Sequence, residues 1–436
     1  PMKRGFYTIM SAQFFSSLAD NALFVAAVEL LKNDGSPEWQ RAALVPMFAL
    51  FYVVLAPFVG AFADARPKGQ VMFISNSIKV VGCLLMLFGT HPLLAYALVG
   101  LGAAAYSPAK YGILTELLPA SQLVKANGWI EGLTIASIIL GVLVGGQLVG
   151  PALSGMLLSM NLPLIDTGID TPPEAAIAVL IFFYGLAAWF NTRIPLTGAE
   201  LRPMRSNPEH GMVRNLLALL PDFWHCNLAL WRDKLGQISL ATTTLFWGVS
   251  GNLRYIVLAW SAAALGYGTS QASSLVGVVA IGTAVGAVIA SMRMRLEQAT
   301  KVMPMGIGMG LLVIGMNFID NVWVAAPFLV LLGGLGGFLV VPMNALLQHR
   351  GHNLMGAGRS IAVQNFNEQA CILALGGFYT LSTGLGLSAF GAITAFGLLV
   401  ASMMWLIQRW HAWNHIHHRD ELARLLHIAR HDDMHG

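Results

Sequence analysis

Seven charged side chains lie inside stretches that are otherwise apolar: Asp20, Glu29, Lys79, Lys110, Glu131, Arg254 and Glu368. A charge near the centre of a bilayer costs at least about 2.5 kcal/mol, so each one calls for a partner or a function. The mixture of signs suits a ligand that carries both. The competing reading is that these charges are paired braces between helices. In the first apolar run Gln13, Ser17, Asp20, Asn21 and Phe24 share one helical face, the spacing of a stripe that should line a cavity and not lipid. A second polar run, Gln364, Asn365, Asn367, Glu368 and Gln369, fills a turn and a half of another predicted helix.

The elements that position these residues follow from composition. Of 436 residues 56% are hydrophobic and 11% charged, against roughly 25% charged in a soluble domain. Lipid must solvate most of the chain, and only helices satisfy their backbone there without closing a barrel. With about 20 apolar residues per crossing, spans are predicted over 6–31, 41–63, 71–90, 92–115, 122–149, 175–193, 238–263, 270–292, 302–319, 322–347, 360–382 and 386–408. The expected fold is therefore an all-α membrane protein of twelve transmembrane helices. Pro57, Pro108 and Pro342 fall inside spans, which neighbouring helices can tolerate.

Alternate loops carry most of the Lys and Arg: Lys3, Arg4, Arg66, Lys68, Lys125, the 193–234 stretch, Arg293, Arg295, Lys301, Arg350, Arg359 and Arg409 onward. The opposite set holds Lys32 and Arg41, and its longest loop, 150–174, has acids and no base. This bias predicts both termini in the cytoplasm. At 1.5 Å per residue, Asp20 and Arg254 both lie roughly 22 Å above the cytoplasmic ends of their helices. The same count places Lys79, Glu131 and Glu368 roughly 12–14 Å up, with Lys110 near that level. Two polar stations are expected, and an acid and a base at the depth of Asp20 and Arg254 could pair when empty and part around a ligand.

An internal repeat divides the chain. Phe15, Asn21 and Phe24 match Phe246, Asn252 and Tyr255 at an offset of 231, and Gly102 and Pro108 match Gly336 and Pro342 at 234. Two pseudo-symmetric six-helix bundles, 1–193 and 238–408, are thus expected, joined by a linker, 194–237, and followed by a basic, His-rich cytoplasmic tail, 409–436. Secondary transporters place their site between such repeats. Within the linker, Val213–Arg232 mixes Leu, Trp and Phe with Arg and Asp and is read either as an amphipathic surface helix or as a solvated connector. The loop Gly60-x3-Asp64-x-Arg66-x-Lys68-Gly69 offers a cap or an ion-pair latch, so Asp64, Arg66 and Lys68 are assigned conformational roles. Gly141-x3-Gly145 and Gly282-x3-Gly286 allow close helix contact.

The two-half plan and that loop resemble the major facilitator superfamily, although the loop lacks the full basic run. More narrowly, the chain is similar to the bacterial lysophospholipid transporters. The similarity lies in Ser17-Leu-Ala-Asp-Asn-Ala-Leu23, Ala56-Pro-Phe-Val-Gly60 with Ala63-Asp64, and Gly102-Ala-Ala-Ala-Tyr-Ser-Pro-Ala-Lys-Tyr-Gly-Ile-Leu114. It continues through Leu123-Val-Lys-Ala-Asn-Gly128, Leu245-Phe-Trp-Gly248 with Arg254, Val341-Pro-Met-Asn-Ala-Leu-Leu-Gln348 and Ile361-Ala-Val-Gln-Asn365. The resemblance implies movement of lysophospholipids, chiefly lysophosphatidylethanolamine, from the outer to the inner leaflet of the bacterial inner membrane. An acyl-carrier-protein-dependent acyltransferase would then restore the second chain. Arg254 and Lys110 would take the phosphate, Asp20 and then Glu131 or Glu368 the ammonium, and Gln13, Asn21, Asn252 and Lys79 would complete the polar path.

The main alternative is a facilitator that exports amphipathic drugs, for which Arg254 and Lys110 would have no use. His415-x4-Asp420 has the spacing of glycerolipid acyltransferases, but too few residues follow for a catalytic domain, and no enzyme is expected. Gly306-x-Gly308-x-Gly310 lies inside a predicted span and is no dinucleotide loop. The scattered Cys83, Cys226 and Cys371 suggest neither disulfides nor zinc. No metal, cofactor or nucleic-acid partner is expected; the partners foreseen are the bilayer, the lysolipid and that acyltransferase, with the chain acting as a monomer.

Overall fold

The computed structural model describes residues 4–117, 120–159, 169, 171–198, 201, 209, 211–355 and 357–431; a few side chains inside helices, Asp64 and Glu131 among them, lie outside the description. Every regular element among the described residues is a helix. The N-terminal set is α1 (Arg4–Asn33), α2 (Glu38–Val54), α3 (Ala56–Asp64), α4 (Lys68–Leu87), α5 (Pro92–Leu117), α6 (Ala120–Val149), α7 (Pro151–Leu158) and α8 (Pro172–Thr192). Two linker helices follow, α9 (Met212–Leu217) and α10 (Leu219–Arg232). The C-terminal set is α11 (Gly236–Leu265), α12 (Thr269–Arg293), a 3-10 segment (Leu296–Val302), α13 (Pro304–Gly315), α14 (Val322–Met355), α15 (Ala357–Gly384), α16 (Ala389–His417) and α17 (Arg419–His431).

Eight of these segments are long and apolar enough to cross a membrane, and the bent pairs α2–α3 and α6–α7 bring the number to ten. The remaining two predicted crossings are α11 and α15, whose 30 and 28 residues include the polar positions singled out above. They are long enough to span, and their polarity is affordable only inside a bundle.

Proline decides where helices bend. Pro57 withholds a backbone donor near the start of α3, and α2 and α3 meet at 64°. Pro151 opens α7, which turns 62° from α6. Pro108 and Pro342 instead sit within unbroken α5 and α14. The twelfth predicted span, bounded at 408, is longer in the structure: α16 continues to His417.

The chain packs as two compact units. One comprises residues 1–219 with 266–277, and the other 220–265 with 278–436. In the first, α1 packs against α6 and α8, and α4 against α5 and α8. Phe15 on α1 stacks on Phe190 of α8 with ring centroids 5.9 Å apart. Small residues set the α1–α6 spacing: a Cβ on Gly141 would come within 2.7 Å of the Leu18 carbonyl oxygen, and one on Gly145 within 2.8 Å of that of Ala22. Glu29, near the end of α1, accepts the hydroxyl of Thr269, to which Lys32 also donates at 3.1 Å. Glu29 therefore ties α1 to the first residue of α12.

In the second unit α11 packs on α14, α15 and α16, and α13 on α14 and α16. The α12–α14 crossing is closer still, since a Cβ on Gly286 would lie 2.1 Å from the Gly334 carbonyl oxygen. The predicted amphipathic stretch of the linker forms α9 and α10; part of the apolar surface of α10 lies on protein, while Leu220 and Trp224 stay exposed. Leu230, with Phe223, Cys226 and Trp231, packs against Leu240, Leu347 and Val363.

Candidate functional site

In the first unit the charged residues of α1 and α4 meet. Lys79 is 2% exposed, and its ammonium lies 2.9 Å from Asp20 Oδ2, whose side chain is 20% exposed. The other carboxylate oxygen of Asp20 accepts the Tyr184 hydroxyl at 2.6 Å. Lys79 Nζ also donates to Ser16 Oγ at 2.9 Å, Ser16 donates to Asn76 Oδ1 at 2.7 Å, and the side-chain amides of Asn76 and Asn191 meet at 2.5 Å. The rings of Tyr106 and Tyr184 lie 5.3 and 5.6 Å from the ammonium. Burial strips water from the lysine, and these acceptors and ring faces replace it.

Residue counting placed Asp20 and Lys79 at different depths, yet they share one ion pair. A count of rise treats helices as upright and side chains as points. A four-carbon stem lets lysine deliver its charge away from its own Cα. Of the stripe on α1, Gln13, Asn21 and Phe24 are buried, whereas Ser17 and Asp20 keep partial exposure. Asn21 donates its amide to the Ser17 carbonyl at 2.8 Å.

Lys110 lies half-buried on α5, two residues after Pro108. Glu131 and Asp64 are among the side chains outside the description. Lys68 donates to the Ala63 carbonyl at 2.8 Å and lies 3.3 Å from Glu116 Oε1, so it caps the end of α3 and braces α5. Arg66 sits over the Phe62 ring at 5.8 Å.

In the second unit Arg254 is half-buried on α11. Asn252, 3% exposed, spends its amide on the carbonyls of Gly248 at 2.8 Å and Ile372 at 3.1 Å, joining α11 to α15. The polar turn and a half of α15 divides by face. Gln364 donates to Glu368 at 2.9 Å and to Asn344 of α14 at 2.5 Å. Asn367 instead donates to Asn227 of α10 at 2.8 Å and accepts the Trp231 indole at 3.1 Å.

Sequence reasoning passed over several members of these networks. Tyr184 and Asn191 are isolated polar positions in the sixth predicted span, and Asn76 stands one turn before Lys79. Their spacing could have flagged them. Asp233 was also missed: it accepts both Arg350 Nε at 2.9 Å and Arg350 NH2 at 2.6 Å, with both side chains below 9% exposure. Arg350 stands 234 residues after Glu116, the repeat offset already seen at Pro108 and Pro342. The equivalent ends of α5 and α14 thus carry ion-pair braces of opposite sign.

The sequence matches the Major Facilitator Superfamily over residues 9–375. The chain belongs to the major facilitator superfamily. Its relatives include two proteins named lysophospholipid transporter LplT. The one from Escherichia coli is 39% identical over 412 residues, covering 94% of this chain and 97% of the relative. The one from Yersinia enterocolitica is 39% identical over 386 residues, covering 88% and 89%. Among solved structures, a mutant of the nucleoside transporter NupG superposes with a TM-score of 0.65 at 12% identity, over 94% of this chain and 99% of that one. That likeness supports the fold alone. Twelve predicted helices in a superfamily of multi-pass carriers make this a multi-pass membrane protein.

Proposed function

We propose that this protein moves lysophospholipids, chiefly lysophosphatidylethanolamine, from the outer to the inner leaflet of the bacterial inner membrane. There an acyl-carrier-protein-dependent acyltransferase restores the second chain. The observation that carries this reading is 39% identity, across nearly the whole chain, to relatives named for lysophospholipid transport.

The chemistry of the residues supports it. The head group carries an ammonium and a phosphate. Asp20 keeps a fifth of its side-chain surface open while Lys79 and Tyr184 hold its carboxylate. An arriving ammonium takes the carboxylate in place of Lys79. The phosphate takes Arg254, whose planar fork suits phosphate oxygens, with Lys110 as a second cationic station. Glu131 and Glu368 receive the ammonium further along, and Gln13 and Asn21 supply polar lining. Asn252 positions α11 through its bonds to α15. The single acyl tail stays in an apolar surrounding, so only the head group needs the polar path. The protein acts as a monomeric carrier with no covalent step, metal or cofactor, and the Lys/Arg bias of its loops supports a cytoplasmic position for both termini.

Lysophosphatidylethanolamine uptake into spheroplasts tests the reading. Arg254→Gln and Asp20→Asn each remove a charge-assisted contact, so uptake should fall about tenfold or more in protein that still melts cooperatively in detergent. Undiminished uptake in both variants overturns the residue assignment. A wild-type protein that moves cationic dyes but no zwitterionic lysolipid overturns the function and favours an exporter of amphipathic drugs.

A further inference from the structure

We propose that a basic cleft between the 3-10 segment Leu296–Val302 and the tail helix α17 binds the phosphodiester head group of an anionic phospholipid. The cleft has a volume of about 450 Å³ and is lined by Arg295, Lys301, His427 and Arg430, with Glu297 and Gln298 beside them. Three permanent cations face one acid. Among the described residues no ion pair within 4 Å involves Arg295, Lys301 or Arg430. The cleft is built and not left to a free tail: α17 packs on the 3-10 segment and on α16. Leu422, Leu425 and Ala429 form its buried stripe, and Ala299 and Val302 are buried on the 3-10 segment.

Depth selects a lipid over a soluble anion. The 29 residues of α16 extend about 43 Å at 1.5 Å per residue, beyond a hydrocarbon core of about 30 Å. The end of α16 therefore emerges among the head groups. That end exposes Trp405, Trp413 and Ile416, at 52%, 48% and 77%, and Arg409 sits 5.7 Å from the Trp405 ring centre. Aromatic rings paired with arginine are what the interface favours. Only His418 separates α16 from α17, so the cleft opens at head-group level, where basic pockets on the cytoplasmic side recruit anionic lipids. The leaflet rests on the cytoplasmic orientation proposed above; the binding itself rests on neither that orientation nor the transported substrate.

The test uses full-length protein in nanodiscs of mixed phosphatidylglycerol and phosphatidylcholine, with retained lipid read by native mass spectrometry after gentle detergent release. The wild type should retain phosphatidylglycerol preferentially. Each of Arg295→Gln, Lys301→Gln and Arg430→Gln should weaken that preference about fivefold. Glu297→Gln should strengthen it, a gain that misfolding cannot imitate. Equal phosphatidylglycerol retention by the triple variant overturns the proposal. So does displacement of the lipid by inorganic phosphate at matched ionic strength, which would mark a site for a free anion. Occupancy by a polyglutamate peptide without any phosphatidylglycerol preference would also overturn it, and would assign the cleft to an acidic protein.

Discussion

Lys79 reaches from α4 to the carboxylate of Asp20 on α1, Nζ to Oδ2 2.9 Å, while Tyr184 of α8 holds the second oxygen of the same group. Three helices of the first unit are therefore joined at one carboxylate. A helix tie of this kind and a ligand station are compatible, because the pair is satisfied when empty and the acid remains the more accessible partner.

Removing one member of a buried pair leaves the other charge uncompensated, at a cost of about 3–5 kcal/mol. Lys79→Met should therefore lower the melting temperature markedly in detergent. The double change Lys79→Met with Asp20→Asn should recover most of the loss, because neither charge is then stranded. Thermal melts of the two variants check this, and a double variant no more stable than Lys79→Met would remove the pair as the reason.

The Asp233–Arg350 brace is bidentate with both side chains buried, and Asp233 also accepts the Gly236 backbone N–H at 2.8 Å. Asp233→Ala should cost about 3 kcal/mol or more, and Arg350→Lys, which loses the fork, should recover only part of the interaction. A double-mutant cycle on urea or thermal unfolding gives the coupling directly. A coupling near zero would sink the expectation.

Gly286 has no space for a side chain, since the Gly334 carbonyl oxygen would lie 2.1 Å from its Cβ. Gly286→Val should force α12 and α14 apart and cut the yield of monodisperse protein by size-exclusion chromatography. Gly185, where a Cβ meets nothing within 4 Å, provides the control: Gly185→Ala should leave the profile unchanged.

The docking of α10 depends partly on the Trp231 indole donating to Asn367. Trp231→Phe keeps an aromatic ring and deletes that donor, a loss of about 1 kcal/mol. Limited proteolysis should then cut within α10 faster than in wild type, while the α10 contacts of Leu230 slow cleavage in both. Equal cleavage rates would assign the docking to apolar packing alone.

Much of this architecture is visible before folding because the signals are local. A run of apolar residues reports a crossing, the Lys and Arg of short loops report a bias, and Gly102 and Pro108 against Gly336 and Pro342 report a repeat. The polar positions in the spans stood out for the same reason: lipid makes every charge conspicuous. Even the amphipathic stretch of the linker was legible as a pattern, although not which surface would cover its apolar face. The bend at Pro57 and the continuity at Pro108 were beyond reach, because both prolines lack the same donor and only neighbouring helices decide whether the backbone breaks.

Composition and the period along single helices show that the chain lives in a membrane, divide it into candidate crossings, and mark the side chains for which lipid is costly. The pairing of Asp20 with Lys79 and Tyr184, of Asn252 with α15, and of Arg350 with Asp233 emerges from the folded chain. Those partners lie 59, 164, 120 and 117 residues apart. Helix rotation and tilt bring such groups together, and no pattern within a single span encodes either one.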